Sequence, residues 1–536
     1  MSAIDTLRVR LDVASSLTPL LDEAGRVSLR DHVLQILVGM LQDLGIPIEP
    51  ELEVRLDQPT PAFGLTIDGQ PARLPRSPSA PPTSVRGLTL RVAEALFENR
   101  EQLVGEPVIQ ALRERWRLAE TATFLSALSR EDFRSYLRKL VRYGFRVDAG
   151  QALRDSRSQP LDRWTADECF ERATAPLGNL RVLLFHGPNR GADPPLDEAL
   201  KQMRDAFFYY EIGIRVPSIQ VAEDRTLEPL EWRVQVNSLR CPPFMGLAAN
   251  EFLVNDTVDR LKLLEISGRS TINPANGSEG AIVTDDGGAA IRCKSAGLTI
   301  WSAAEYAALV TNAYLRRQAG ALIVGAGVDY ELERLGAAGY PELVRAARAR
   351  FSISTLTQVL RELADDEINV RNLPAVLEAL LAIRGGVTVD VVKRIVFTPY
   401  ATAPCLLGPS KPETLEAPEL AECVRGQLKR LITYKYAKGA TALVVYLVDP
   451  VIERRVCSAE KEPLDDAERA ELHDAIEEEV KGLPPSAQSP VILTALSTRR
   501  PLQQLIRLEF RHLAVISYQE LPPNINIQPI ARISRS

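Results

Sequence analysis

The stretch PVILTALSTRRPLQQLIRLEFRHLAVISYQELPPNINIQPIARIS, residues 490–534, decides the reading of the fold. Near its end Val515, Ile516 and Tyr518 read as a strand, Pro522 and Pro523 as a turn, and Ile525, Ile527 and Ile530 as a return strand. A terminus with nothing to dock against usually frays into polar disorder. So apolar a tail is therefore expected to pack as the closing segment of a subdomain.

The rest of the chain sets the frame for that segment. At 536 residues it exceeds what one hydrophobic core serves, so several domains are expected. A hydrophobic fraction of 45% with 25% charged residues is that of an ordinary globular protein. The net charge of −6, with Lys and Arg spread along the chain, argues against nucleic acid or a polybasic membrane anchor as partner. Cys169, Cys241, Cys293, Cys405, Cys423 and Cys457 form no CxxC pair and lie near no histidine in sequence, which points to reduced thiols rather than a metal finger. The first residues, MSAIDTLRVRLD, hold no apolar signal core. The longest apolar stretch, residues 33–46, contains Gln42 and Asp43 and is too short to span a bilayer. A soluble chain in the cytoplasm is the expectation.

The order of elements recurs. Leu29, Val33, Ile36, Leu37, Met40, Leu41 and Leu44 follow helical steps, and two short strand patterns come after them. A Pro- and Ser-rich segment, residues 71–87, reads as a long loop, and helices resume at residues 88–97 and 133–143. Further on, Gly213-Ile214 answers Gly45-Ile46. Pro217, Ile219 and Val221 answer Pro50, Leu52 and Val54, and residues 232–236 answer 63–67. LRKLVRYGFRV (137–147) then lines up with LRELADDEINV (360–370), and LRVLLFHGP (180–188) with ALVVYLVDP (442–450). The offset grows from 168 to 223, so the second copy is expected to hold about 55 extra residues near EFLVNDTVDRLKLLEISG. A partial internal duplication is the reading, with residues 1–190 a truncated copy and residues 195–536 the complete one.

No catalytic constellation stands out. His186 in LLFHGPNRG has no partner nucleophile or GxSxG, and reads as a histidine at a strand end. His32, His473 and His512 read as packing or surface residues. GPNRG (187–191) lacks the GK[ST] of a phosphate loop, and GAGVDYELERLG (325–336) lacks the strand-to-helix context of a dinucleotide loop. Asp365, Asp366 and Glu367, and likewise Glu477, Glu478 and Glu479, are consecutive on helical patterns and splay about 100° apart, so they read as solvated surface. Asp285 and Asp286 in TDDGG read as a tight turn. The expectation is no catalytic residue, no cofactor and no metal.

The opening segment resembles the C-terminal end of the FHIPEP family, the export-gate proteins of flagellar and virulence type III secretion. Arg499, Arg500, Leu513, Val515, Ser517, Tyr518, Glu520, Ile527, Gln528 and Pro529 fill that family's slots. Residues 296–310, 355–383, 418–437 and 446–456 resemble further segments in the family's order. The resemblance covers roughly residues 195–536, the family's cytoplasmic domain. It implies an α+β, multi-subdomain fold, with subdomains near 195–240 plus 296–310, 241–295, 311–385 and 418–536.

Two departures bear on function. The family's multi-helix membrane domain does not precede the matching region here, so a membrane gate is not expected of this chain by itself. The family's chaperone-receiving stretch D-P-A-F-G-L-x-A-V becomes VTDDGGAAI (283–291), and its A-T-H-L becomes ALVT (308–311). Asp285, Asp286 and Leu309 are the partner-binding candidates that this resemblance supplies. It implies a non-enzymatic scaffold whose partners are secretion components, chaperone or cargo proteins, or a separate membrane component. Homo-oligomerisation is a further implied capacity. The alternatives are an adaptor used outside secretion and an enzyme on this fold.

Overall fold

The computed structural model describes residues 6–60, 62–74, 82, 84–118, 128–148, 166–174, 180–188, 194–285, 287–383, 415–459, 464–480, 491–507, 510 and 513–534. The chain divides into two compact units, one of residues 1–275 and 280–329, the other of residues 276–279 and 330–536.

The first unit opens with β1 (Leu7–Ala14), whose Leu7, Val9, Leu11 and Val13 alternate into the core. α1 (Glu23–Leu44) starts where the Asp22 carboxylate accepts the Gly25 amide at 2.6 Å. It buries Leu29, Val33, Leu37, Met40, Leu41 and Leu44 along one face and stops at Gly45, whose φ of 68° is open to glycine without a Cβ penalty. β2 (Pro50–Gln58) then runs parallel to β1, β3 (Phe63–Ile67) antiparallel to it, and β4 (Gln70–Pro71) closes a hairpin, giving the order β2-β1-β3-β4. Among the described residues that follow are the helices α2 (Val85–Glu98), α3 (Glu106–Leu118), α4 (Arg130–Arg142) and α5 (Ala166–Thr174). A 3-10 turn, Arg100–Leu103, links α2 to α3.

β5 (Val182–His186) begins a second sheet of the same construction. α6 (Pro194–Gln202) passes through a π stretch, Met203–Phe208, into α7 (Tyr209–Ile212), which stops at Gly213 with a φ of 87°. β6 (Gln220–Glu223) lies parallel to β5, β7 (Glu231–Val236) antiparallel, and β8 (Leu239–Arg240) forms the hairpin, in the order β6-β5-β7-β8. β9 (Phe244–Met245) also pairs with β7. Here the structure corrects the sequence reading. β5 is bonded to β6 and β7, so residues 182–186 belong with the segment after 195 and not with residues 1–190. Residues 442–448, with which it lines up in sequence, differ from it in pairing: they have parallel neighbours on both sides, whereas β5 has one parallel and one antiparallel neighbour. A short apolar run carries no mark of its partners, which is why sequence alone lines residues 180–188 up with 442–450.

Between β8 and α10 (Ala303–Arg317) lies a third sheet, β11 (Arg269–Ile272), β12 (Glu279–Thr284), β10 (Glu251–Val254) and β13 (Ile300–Ser302) in that order. With it come a short helix α8 (Val258–Leu261) and α9 (Ala289–Ser295). This is where the sequence places the extra residues of the second copy. α11 (Gly325–Ala337) follows a 3-10 turn, Ala319–Leu322, and is helical from its first glycine, so GAGVDYELERLG forms no nucleotide loop.

The second unit contains α12 (Pro341–Arg350), α13 (Ile353–Asp365), α14 (Leu373–Ala382), α15 (Ala417–Gln427) and α16 (Lys429–Ala437). An α/β layer ends the chain, with β14 (Ala442–Val448), α17 (Pro450–Ser458), α18 (Asp466–Val480), β15 (Val491–Thr494), α19 (Leu496–Ile506), β16 (Val515–Ser517) and β17 (Asn526–Ile533). The sheet order is β16-β15-β14-β17 and every pairing is parallel. Tyr446, Ile452, Val456, Leu472, Ile476, Ile492, Leu502 and Ile533 share one core on this sheet. The tail does pack, with one correction to the sequence reading. β17 does not fold back on β16 but crosses to the opposite edge beside β14, as parallel strands require. Ile527 and Ile530 stay about half exposed, so backbone pairing rather than apolar burial holds this part of the strand.

Candidate functional site

The inserted sheet has two apolar faces because neighbouring residues of each strand point opposite ways. Phe252, Val254, Ala281 and Val283 pack under α8 and α9 with Leu261, Ala289 and Cys293. Leu253 and Ile282 face the other way, toward Leu247, Trp301, Tyr306 and Leu309. Helices thus supply apolar side chains to both faces. On the outer side Ile291 of α9 is 68% exposed and Leu263, just after α8, is 83% exposed. Each is an apolar side chain beside residues of the same buried cluster, Ala290 and Leu264.

Two of the partner-binding candidates, Asp285 and Leu309, are described, and they do not converge. Asp285 follows β12 and its Oδ1 accepts the amides of Gly287 and Ala289 at 3.2 and 3.1 Å, so it holds the turn and the start of α9. Leu309, in α10, packs on the opposite face of the sheet. Asp286 lies outside the described residues. The turn expected at TDDGG agrees with the hydrogen bonds of Asp285.

A buried group of charges lies in the second unit and was not legible in sequence. Arg425 of α15 is almost fully buried and donates to Glu520 from Nε at 2.8 Å and Nη2 at 3.1 Å, and to Asp366 at 3.2 Å. Arg499 of α19 is equally buried, donating to Glu422 from Nε at 2.7 Å and lying 3.0 Å from the Asp366 carboxylate. Glu520 also lies 3.4 Å from the Ser517 amide. Burial opposes the charge of Asp366, yet the Arg499 and Arg425 guanidiniums outweigh it and hold the carboxyl below its ordinary range. Burial likewise opposes the charge of Arg425 and of Arg499, and the facing carboxylates raise both above the ordinary range. Asp366 is therefore no freely solvated surface acid, and the partly exposed Glu367 carboxylate lies 3.5 Å from Lys435 Nζ. Arg499, Ser517 and Glu520, which mark the family resemblance in sequence, fasten α13, α15, α19 and the end of β16 together.

Three of the four histidines are among the described residues. His186 Nδ1–H donates to the Gly187 carbonyl at 2.7 Å and its ring meets Trp232 edge-on. His32 is exposed beside Ser28, His473 packs near Phe510, and His512 lies outside the described residues. Among the described residues no group of three or more His, Cys, Asp or Glu could hold a metal ion. Pro522 and Pro523 wall a cavity of about 350 Å³ with Asn372, Val376, Lys429 and Arg430.

Three antiparallel-bearing sheets, a parallel terminal sheet and a buried arginine–carboxylate cluster built from the C-terminal motif define the class. The FHIPEP family matches residues 181–396 and 405–526, and the chain belongs to it. It is 27% identical over 349 residues to the low calcium response locus protein D of Yersinia pestis, covering 63% of this chain and 44% of that protein. With the hypersensitivity response secretion protein HrcV of Ralstonia nicotianae it shares 24% over 377 residues, covering 67% of this chain and 48% of that protein. The chain thus spans about half the length of these relatives. The Chlamydia pneumoniae CdsV structure superposes with a TM-score of 0.53 at 25% identity, covering 66% of this chain and 98% of CdsV. The structure of CdsV in complex with CdsO gives 0.54 at 25% identity, covering 66% of this chain and 97% of that one. Among the described residues no helix is long and apolar enough to cross a membrane.

Proposed function

We propose that this chain is a non-enzymatic docking platform of the type III secretion export-gate kind, acting on the cytoplasmic side and receiving secretion components, chaperones or cargo. The observation that carries the reading is that the match covers 98% of the CdsV chain, with CdsV itself solved in complex with a protein, CdsO. The inserted sheet supplies the docking subdomain. Ile291 and Leu263 are its contact residues, because exposed apolar side chains on a built subdomain are what an interface core uses. Asp285 and Leu309 shape that surface from beneath by holding α9 and the sheet. The charges gathered around Arg425 and Arg499, those of Asp366, Glu422 and Glu520, are engaged with one another, which fits a structural role.

The test is affinity capture on the native cell extract with the wild-type chain and with L263D/I291D, followed by measured binding of each purified candidate. Secretion proteins that bind the wild-type chain and lose affinity for the variant support the reading. A partner set of metabolic enzymes, or equal binding by both chains, would overturn it.

A further inference from the structure

Residues 6–148 and the elements from β5 onward are alike in more than strand order. Val9 pairs with Ile67 as Val182 pairs with Val236, and Leu11 pairs with Val54 as Leu184 pairs with Val221. Left-handed residues recur in step: Gly45 and Gly213 after the first helix, Asp68 and Asn237 in the hairpin turn. α2 and its 3-10 turn before α3 match α10 and its 3-10 turn before α11. α4 and α13 have equal length, each starts at a serine cap, Ser129 or Ser352, and each is followed by a left-handed residue, Gly144 or Glu367.

Within the first unit the two copies meet through unlike surfaces. The β7–β8 turn of the second copy lies on the helix ends of the first. The Ser238 amide donates to the Gly144 carbonyl at 3.0 Å, and Asn237 Nδ2 donates to the Tyr143 carbonyl at 3.2 Å. Arg240 donates to both oxygens of Asp43, at 2.9 Å from Nε and 2.8 Å from Nη2. Arg86 forks onto the buried Glu231, and Arg317 donates to Glu94 at 3.2 Å. Gly144 is needed there, since a Cβ would meet the Leu239 Cβ and the Val236 carbonyl at 3.1 Å. A head-to-tail contact of this kind leaves both of its surfaces free at the two ends and, if repeated, grows into a ring or a filament.

Neither free end keeps the chemistry. The hairpin register puts Pro71 in the first copy where the second has Arg240. In the second copy the counterpart of Asp43 is Glu211, which is already paired with Arg316 of α10. We infer that residues 6–148 are a built-in neighbour: they occupy the face of the second copy that a further copy of this fold would take, and head-to-tail assembly through it ends within the chain. This rests on the repeat geometry and is independent of the docking reading.

The experiment inserts a protease recognition sequence between residues 176 and 177 of the full chain and follows mass in solution before and after cutting. Uncut, the chain should scatter as one particle of 59.2 kDa at all concentrations. Cut, its two pieces should stay together. D43R and R240D should each weaken that association on the order of tenfold, and the charge-swapped D43R/R240D should recover it, which a folding defect would not do. Separation of the wild-type pieces on cutting, single variants as tight as wild type, no recovery in the swap, or uncut chains that build larger particles as concentration rises would each overturn the inference.

Discussion

Arg425 and Glu520, 95 residues apart, face each other out of water and share two hydrogen bonds, 2.8 and 3.1 Å long. Such a pair adds little over an apolar one, but removing one member leaves its partner charged and buried, at a cost of about 3–5 kcal/mol. E520Q should therefore lower a calorimetric unfolding transition by several degrees. The four tryptophans, Trp116, Trp164, Trp232 and Trp301, all lie before residue 330 in the first unit, so fluorescence follows that unit. The fluorescence transition should move less than the calorimetric one. Equal shifts of both would count against assigning the pair to the second unit alone.

Asp366 gives the same cluster a pH dependence. Its folded pKa is depressed below the ordinary 3.8 by Arg499 and Arg425 against the opposing effect of burial. A depressed acid contributes stability that is complete above its unfolded pKa and is lost as pH falls through the folded value. D366N should be less stable than wild type at neutral pH, and the gap should narrow below about pH 4. Urea unfolding at pH 7 and at pH 3 measures this. A gap that stays constant would mean the carboxylate is not paired.

Gly187 follows His186 and looked in sequence like part of a Gly-rich loop. Its role is steric: a Cβ there would stand 1.9 Å from the Glu228 carbonyl oxygen, where the chain passes before β7. G187A must displace that backbone and should cost about 1–3 kcal/mol, the range for overpacking. Because Trp232 stands beside His186 in the same sheet, tryptophan fluorescence reads the loss directly. An unchanged midpoint would show that the loop at residues 228–229 yields freely.

These cases show which parts were legible in the sequence. Gly45 and Gly213 announce helix ends because only a local φ is at stake, and the alternation of β3 and β7 announces strands for the same reason. Pairing across distance leaves no such mark. Nothing local says that Asp366 will meet Arg425 and Arg499, so the acids of residues 365–367 read as surface. The family motif flagged Arg499 and Glu520 without revealing that they serve the fold. The partner-binding candidates came by resemblance alone, and a resemblance transfers positions without the surface around them. Leu263 and Ile291 carried no signal in sequence, since an isolated apolar residue on a short helix is ordinary.

Asp285 and Leu309 allow packing to be separated from docking in the inserted subdomain. Asp285 holds the first amides of α9, and its loss in D285A should cost about 1 kcal/mol, as for other N-terminal caps. Leu309 is half buried against Leu247, Leu253 and Ile282, so L309A should cost about 2 kcal/mol, the low end for a leucine that keeps some exposure. Ile291 and Leu263 have little apolar area to lose from their exposed parts, and I291D and L263D should leave stability within about 0.5 kcal/mol of wild type. Thermal unfolding ranks the four variants, and partner binding measured on the same proteins should rank them in the opposite order. If L309A weakened binding without lowering stability, Leu309 would be a contact residue, and the sheet face under α10 would have to be open to the partner.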